Sequence, residues 1–439
     1  MSMRTYNGTG RLRYVENQID CAFTLAQTSD GDVRLECTTP PGMSPPPHWI
    51  AGLFGPMPVP EMFEGQLLDG RPIEVRGGFL AFPGGWNRTD GAKAFFELTG
   101  PGAEAVVGPV AGAAEGGEWR FGITNLLLDS SHWKTAVGSR EVVWTIDRLK
   151  VRVRDLTTEA SRRLFGGKQH TDVTAHLELP GTLTLADARE IAADLCSVLS
   201  IAQGTLIGCI YVERVSLADD VAFACHYPAV TRPHNGALPL IDPNEESDLT
   251  RFVETVSATF RLKEAERGLR VLARAIADVR TTGFLETRAL QVSSLIEFIV
   301  SRDADINQRA FIFDAKAFGK KEKSIKAALQ ASLAAVLPDA DAKKLETMSR
   351  HVPALNRIPF IDLLATTSSS LRAKIPTDDF RKFIATRNAL VHRGTFATGA
   401  PWDEFRLMLS IVDRLILALL EYRGPYIDAR ILKRVEPEP

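Results

Sequence analysis

The segment from Thr377 to Gly394 concentrates the residues best able to do chemistry. Arg387, Asn388 and His392 stand there at positions i, i+1 and i+5. Arginine is a permanent, planar cation, and histidine gains or loses a proton near neutrality. Asparagine carries both a donor and an acceptor. Pro376 and Thr377 mark a helix start, Asp378 and Asp379 suit its positive end, and Gly394 suits its close. At about 100° per residue, Phe380, Phe383, Ile384, Leu390 and Val391 form one apolar arc. Arg387 falls in the middle of that arc, Asn388 on its edge and His392 a little beyond. An arginine on an apolar face requires an anionic partner, a wet cleft or a ligand. Two readings stay open: a structural ion pair with Glu297 on the apolar-rich helix upstream, or a working site.

The elements that must position this segment follow from periodicity. Helices are expected over about 247–262, 265–281, 284–302, 321–336, 341–350, 355–371, 377–393 and 403–423, where glycine is scarce. The apolar arc of Phe405, Met408, Ile411, Val412, Leu415, Ile416 and Leu419 reads as a bundle core. Before residue 230 the pattern is different. Short runs such as Gly10–Val15, Val33–Cys37, Pro72–Arg76, Phe79–Phe82, Ala94–Leu98, Glu141–Ile146, Thr174–Leu179 and Ile207–Val212 read as strands. Gly77-Gly78 and Pro83-Gly84-Gly85 punctuate them as turns. A helix over about 186–201 interrupts the strands, with Thr184 just before it. The fold class expected is therefore multidomain α+β. A mostly-β N-terminal domain over 1–235, sandwich or barrel-like with one or two helices, precedes an all-α bundle over 246–430. Thr231 to Asn244, rich in Pro, Gly and Asn, reads as the junction.

Composition narrows the function classes. A net charge of −2 over 439 residues excludes a globally basic nucleic-acid binder but permits a local basic site. The five cysteines, Cys21, Cys37, Cys196, Cys209 and Cys225, include no CxxC pair, so reduced thiols in a cytoplasm are expected rather than disulfides or a zinc site. The most apolar stretch, Leu407–Leu420, is broken by Ser410, Asp413 and Arg414, so no membrane span is expected. Gly166-Gly167-Lys168 and Gly319-Lys320-Lys321 lack the spacing of a phosphate loop and read as turns beside a lysine. Asp303-Ala304-Asp305 and Asp339-Ala340-Asp341 read as helix-end caps rather than metal ligands. Ser131-His132 and Cys225-His226 are adjacent pairs whose side chains diverge, and His176 reads as structural. No metal and no cofactor is expected.

Arg387-Asn388-x-x-x-His392 resembles the Arg-x4-6-His signature of HEPN domains, including a polar residue after the arginine. The surroundings are similar too: an upstream apolar helix with a central Glu297, and a long apolar helix ending near Tyr422-Arg423-Gly424-Pro425-Tyr426. The layout resembles the ApeA-like HEPN subgroup, over about 247–430 by motif and over the first half by layout alone. One departure is Arg393, which stands between His392 and Gly394 where the family often has glycine at once.

The resemblance implies a metal-independent endoribonuclease acting in bacterial anti-phage defence and regulated by its N-terminal domain. His392 would be the general acid or base, Arg387 the stabiliser of phosphoryl charge, and Asn388 an orienting group. For the nearby Arg381, Lys382 and Arg393 two readings stay open: contacts to flanking phosphates, or an ordinary solvated face. It further implies RNA as substrate, a homodimer through the helical domain, and an unknown trigger for the N-terminal domain. The rival is a HEPN module that binds RNA, a nucleotide or a regulatory protein without cutting.

Overall fold

The computed structural model describes residues 5–14, 17–27, 33–38, 61–81, 95–99, 104–108, 117–128, 141–156, 173–216, 221–226, 238–281, 283–338 and 341–436. The chain forms two compact units: Met1–Arg261 with Ile276–Thr282, and Leu262–Ala275 with Gly283–Pro439. The expected junction from Thr231 lies outside the described residues as far as residue 237. The helix that begins at Glu246 belongs to the first unit through Arg261.

The first unit is mostly β, as its alternating sequence requires. Its described strands are β1 (Thr5–Tyr14), β2 (Asn17–Gln27), β3 (Val33–Thr38), β4 (Glu61–Leu67), β5 (Pro72–Ala81), β6 (Phe95–Thr99) and β7 (Glu104–Val107). They continue with β8 (Glu118–Thr124), β9 (Glu141–Ile146), β10 (Leu149–Asp155), β11 (Val173–Pro180), β12 (Gly208–Val215) and β13 (Val221–His226). These thirteen strands share one sheet in the order β4-β1-β2-β3-β6-β5-β7-β13-β12-β8-β11-β10-β9. Because β4 also pairs with β5, the six strands β1 to β6 close on themselves as a barrel. Closure leaves those strands without an open edge. Its interior follows the period-2 pattern: Val33, Leu35 and Cys37 point inward from β3, and the rings of Phe23 and Phe63 meet edge to face at 5.0 Å.

Gly77-Gly78 is not the expected turn. β5 runs straight through it and changes neighbour there, pairing with β7 along Ile73–Arg76 and with β6 along Phe79–Ala81. The register against β4 also shifts between Glu61↔Gly78 and Phe63↔Val75. Glycine suits such a bulge, where the strand must bend. The Pro83-Gly84-Gly85 turn and Ser131-His132 lie outside the described residues. Helix α1 (Leu185–Gln203) is capped by the Thr184 hydroxyl, which accepts from Asp187 N.

The described residues form nine α-helices; after α1 and strands β12 and β13 come α2 (Glu246–Arg267), α3 (Leu269–Arg280), α4 (Leu285–Ile306), α5 (Ala315–Val336), α6 (Ala342–Ser349), α7 (Phe360–Leu371), α8 (Thr377–Arg393) and α9 (Pro401–Leu419), with a 3-10 helix at Val352–Asn356 between α6 and α7. The only strands described after α9 are the short pair β14 (Tyr426–Asp428) and β15 (Lys433–Val435). Every residue of the apolar arc expected on α9, from Phe405 to Leu419, is buried. Leu407, Leu409 and Ala418 on its other faces are buried as well, which makes α9 the central helix of its unit.

Two expectations fail here. Gly319-Lys320-Lys321 lies inside α5, because Asp314 caps the helix earlier by accepting from Ala317 N at 2.7 Å. Asp303 is not a helix cap. Its carboxylate is 1% exposed and takes Arg267 Nη1 at 2.8 Å, Arg309 Nη2 at 2.8 Å and the Thr367 hydroxyl at 3.1 Å. An anion near a helix C-terminus is disfavoured by the dipole, and two guanidiniums offset it. Asp341 does cap, accepting from Lys343 N at 3.0 Å.

Asp303→Ala leaves Arg267 and Arg309 facing a site without an acceptor. Loss of one member of a buried ion pair costs about 3–5 kcal/mol. Chemical unfolding followed by helical circular dichroism is expected to show a loss of that size for Asp303→Ala. A variant as stable as the parent overturns the assignment of Asp303 as the clamp of α4.

Candidate active site

Helix α8 presents the motif. Thr377 is its first helical residue, so the cap position falls to Pro376, which has no side-chain acceptor. Asp379 instead pairs with Arg430 at 3.0 Å. Gly394 closes the helix at φ +69° and donates its N–H to the Leu390 carbonyl, a conformation that costs glycine nothing.

The buried face of α8 comprises Asp379, Phe380, Phe383, Thr386, Ala389 and Leu390. This turns the apolar arc away from its expected centre. Val391 is 51% exposed, and Arg387 sits at the edge of the buried face rather than in its middle. The cause is Thr386, which is buried because its hydroxyl donates to Glu404 Oε2 at 2.6 Å.

Arg387 and Glu297 do form an ion pair. Nε donates to Glu297 Oε1 at 2.6 Å, and Nη2 lies 2.6 Å from the same oxygen. Nη1 donates to Asn388 Oδ1 at 3.3 Å. Both charged side chains stay about one-third exposed, at 32% and 37%. The pair therefore orients more than it stabilises, since exposed ion pairs contribute about 0–1 kcal/mol.

His392 and Arg393 occupy the exposed last turn of α8, where positive charge meets the negative helix end. On the helix, Arg381, Asn388 and His392 fall along one exposed stripe. Lys382 and Arg393 are exposed on another flank. Arg381 is bridged to Asp378 at 3.3 Å, and both are largely exposed. Arg387 and His392 are five residues apart, hence about 140° apart around the axis and about 7.5 Å along it. Within one chain the helix geometry brings Arg387 to Asn388 and Glu297, but turns His392 away from the guanidinium.

The loop after the motif is held by Glu404, which sequence reasoning missed. Oε1 accepts from Thr398 N and from its hydroxyl, both at 2.7 Å, and Oε2 accepts from Ala397 N at 2.9 Å as well as from Thr386. Burial pushes this carboxyl up, and the four hydrogen bonds outweigh it, so its pKa lies below the usual glutamate value.

A second missed constellation lies in the β unit. The register aligns His176 of β11, Gly122 of β8, Tyr211 of β12 and His226 of β13 in one row across the sheet. His176 Nε2 and the Tyr211 hydroxyl hydrogen-bond at 2.8 Å over the intervening β8. The bridge passes because Gly122 has no side chain; a Cβ there would sit 2.3 Å from the Tyr211 ring. His226 packs against Tyr211 with the rings tilted and their centroids 5.8 Å apart, and it reaches the Tyr6 hydroxyl at 3.2 Å. One row along, buried Glu178 lies 3.3–3.6 Å from Arg120, Arg152 and Arg154.

Among the described residues, no group of three or more His, Cys, Asp or Glu side chains could hold a metal ion, and no helix is long and apolar enough to cross a membrane. No family model, no curated protein and no solved structure matches the chain.

Two outcomes follow. Glu404 has a lowered folded pKa, so its contribution is present above the unfolded glutamate value of about 4.3 and is lost as pH falls through the folded value. Glu404→Gln sets an amide donor against N–H donors, and is expected to cost about 1–3 kcal/mol near neutrality and to flatten the acid limb of a stability–pH curve. An unchanged acid limb counts against this role. Gly122→Ala is expected to cost about 1–3 kcal/mol through its clash with Tyr211. Thermal melts of the double variant with Tyr211→Ala check the cause: it should be no less stable than Tyr211→Ala alone.

Proposed function

We propose that the helical unit is a HEPN-type, metal-independent endoribonuclease, with Arg387, Asn388 and His392 as its working residues. The observation that supports this best is the fixing of Arg387. Glu297 grips one edge of the guanidinium at 2.6 Å while Nη1 turns to Asn388, and the side chain remains 32% exposed. A cation oriented in advance and open to solvent stabilises charge on a phosphoryl oxygen without reorganising.

In the reaction, the ribose 2′-oxygen attacks the adjacent phosphorus and the bond to the 5′-oxygen breaks. His392 takes the hydroxyl proton, or in its protonated form delivers one to the departing oxygen. The products are a 2′,3′-cyclic phosphate and a free 5′-hydroxyl, so the step needs no metal and no other reactant. Arg381, on the stripe shared with Asn388 and His392, suits a flanking phosphate better than Lys382 or Arg393, which lie on another flank.

The divergence of Arg387 and His392 on one helix calls for two copies. A homodimer that faces α8 against its symmetry mate supplies two histidines, one as base and one as acid. Exposed apolar residues flank the ion pair in each chain: Val391 at 51%, one turn after Arg387, and Leu290 at 38%, two turns before Glu297. An isologous contact uses such a patch twice. The β unit would then regulate the cleavage, and a role in anti-phage defence fits an RNase kept under such control.

The same divergence favours a second reading, a module that binds RNA without cutting it. The discriminating experiment is cleavage of labelled RNA by the full chain in excess chelator. His392→Ala is expected to lower the rate about 10²–10⁴-fold and Arg387→Ala about 10²–10³-fold. Neither should unfold the protein, since His392 is exposed and the Arg387 pair is partly solvated. Mass measurement in solution should give a dimer. Cleavage by folded His392→Ala at the parent rate sinks the assignment, and RNA binding without cleavage by any protein replaces it with the second reading.

A further inference from the structure

A cleft of about 430 Å³ lies in the helical unit, away from the α8 motif. It is bordered by the turn after α7, the second half of α9 and the β14–β15 pair. Pro376 borders it at the start of α8, and Arg387 is eleven residues further on, about 16 Å along the helix. Its size falls within the range of small-molecule sites, about 300–1,000 Å³.

Its charge is lopsided. Four cations, Arg372, Lys374, Arg414 and Arg423, line it against two carboxylates, Asp428 and Glu436. Both carboxylates are already answered by arginines: Asp428 by Arg414 at 3.2 Å, and Glu436 by Arg434 at 2.9 Å. Arg372 and Arg423 have no carboxylate within ion-pair distance among the described residues. The surplus at the cleft is positive in a chain whose net charge is −2.

The loop that presents this charge is held in an unusual conformation. Arg372 and Lys374 have φ of +58° and +49°, in the left-handed region that residues with side chains seldom enter. Each carbonyl is gripped by another arginine of the cleft. Arg423 Nη1 donates to the Arg372 carbonyl at 3.4 Å, and Arg414 Nη1 donates to the Lys374 carbonyl at 3.2 Å. The Arg372 conformation also closes α7, but that of Lys374 caps no helix. Strained backbone persists where its surroundings over-determine it, and such positions cluster at ligand sites. Beside the cations, Leu417, Ala418 and Val435 add apolar lining, and the half-buried Tyr426 adds an aromatic ring whose hydroxyl meets Arg414.

We propose that this cleft binds a small phosphorylated molecule, its phosphoryl groups on Arg372, Lys374 and Arg423 and its carbon skeleton against Leu417 and Tyr426. Guanidinium forks match phosphoryl oxygens in pairs, and an aromatic ring offers a flat surface to a ring of the ligand. The proposal does not rest on RNA cleavage, and its test is arranged to be independent of it.

The test is calorimetric titration of the full-length His392→Ala protein, which lacks the proposed proton carrier, with pyrophosphate, AMP and ATP. The comparison protein adds Arg372→Asn, which tolerates a left-handed φ, and Arg423→Gln. Saturable binding of ATP is expected, weakened by salt and weakened at least about tenfold for each arginine removed. Thermal melts establish that the comparison protein is folded. Tighter binding of ATP than of pyrophosphate, lost in Tyr426→Leu, supports the apolar side. Equal binding of the two overturns that half and leaves an anion site. No saturable binding of any probe, or equal affinity in the folded double variant, overturns the proposal.

Discussion

The geometry of the α8 motif depends on a carboxylate that never touches it. Asp303 sits near the end of α4, and its contacts tie that helix to Arg267 of α2, to Arg309 in the following loop and to Thr367 of α7. Glu297 lies on the same helix, less than two turns earlier. A carboxylate can hold Arg387 at 2.6 Å only if its helix cannot slide or turn, because a rotation of one residue's step would carry Glu297 to another face. The buried pair supplies that restraint, and the partly exposed pair uses it. Energy is thus concentrated at Asp303, where water is excluded, and direction at Glu297, where water is admitted.

What the sequence disclosed follows from the range of the interactions involved. The α9 core was legible because seven apolar residues recur at helical spacing on one strip of chain. The Arg387–Glu297 pair was legible as one of two alternatives, because a charge on an apolar arc calls for a counter-charge and α4 held a central glutamate. The tilt of the α8 buried face was not legible. It depends on Thr386 reaching Glu404, eighteen residues away across a loop, and neither residue breaks any local pattern. The Asp303 cluster was hidden for the same reason, since an aspartate at a helix end has an ordinary local explanation. The His176–Tyr211 bridge was still further out of reach. It exists only in a register that joins three strands, and its permissive residue, Gly122, looks like any strand glycine. Gly77-Gly78 failed in the opposite direction, because glycine pairs serve bulges as well as turns.

The β unit imposes a different kind of order from the bundle. Its barrel closes through the β4–β5 ladder over a mainly apolar interior, in which the rings of Phe23 and Phe63 meet. The strands beyond the barrel instead carry His176, Tyr211 and His226 in one row, with His226 reaching Tyr6 of the barrel, beside a row of arginines around Glu178. Polar rows of this kind specify register strongly, because a slip by one residue would bury unpaired charge and turn the aromatics to the other face.

The helix itself sets the hardest condition on the proposed chemistry. A spacing of five residues cannot place two side chains on one face, whatever surrounds them. Arginine can reach back part of the way, and here Nη1 meets Asn388 on the exposed stripe, but Glu297 holds the Nε and Nη2 edge of the guanidinium. Catalysis by both residues on one phosphate therefore needs either release of that ion pair or a histidine from elsewhere. Release is inexpensive, since the pair is about one-third exposed on each side, but it would surrender the orientation that makes Arg387 useful. A histidine from a symmetry-related α8 keeps the ion pair intact and adds a second proton carrier. On these grounds the two-copy arrangement is the one in which every interaction observed around Arg387 would remain in use during the proposed reaction.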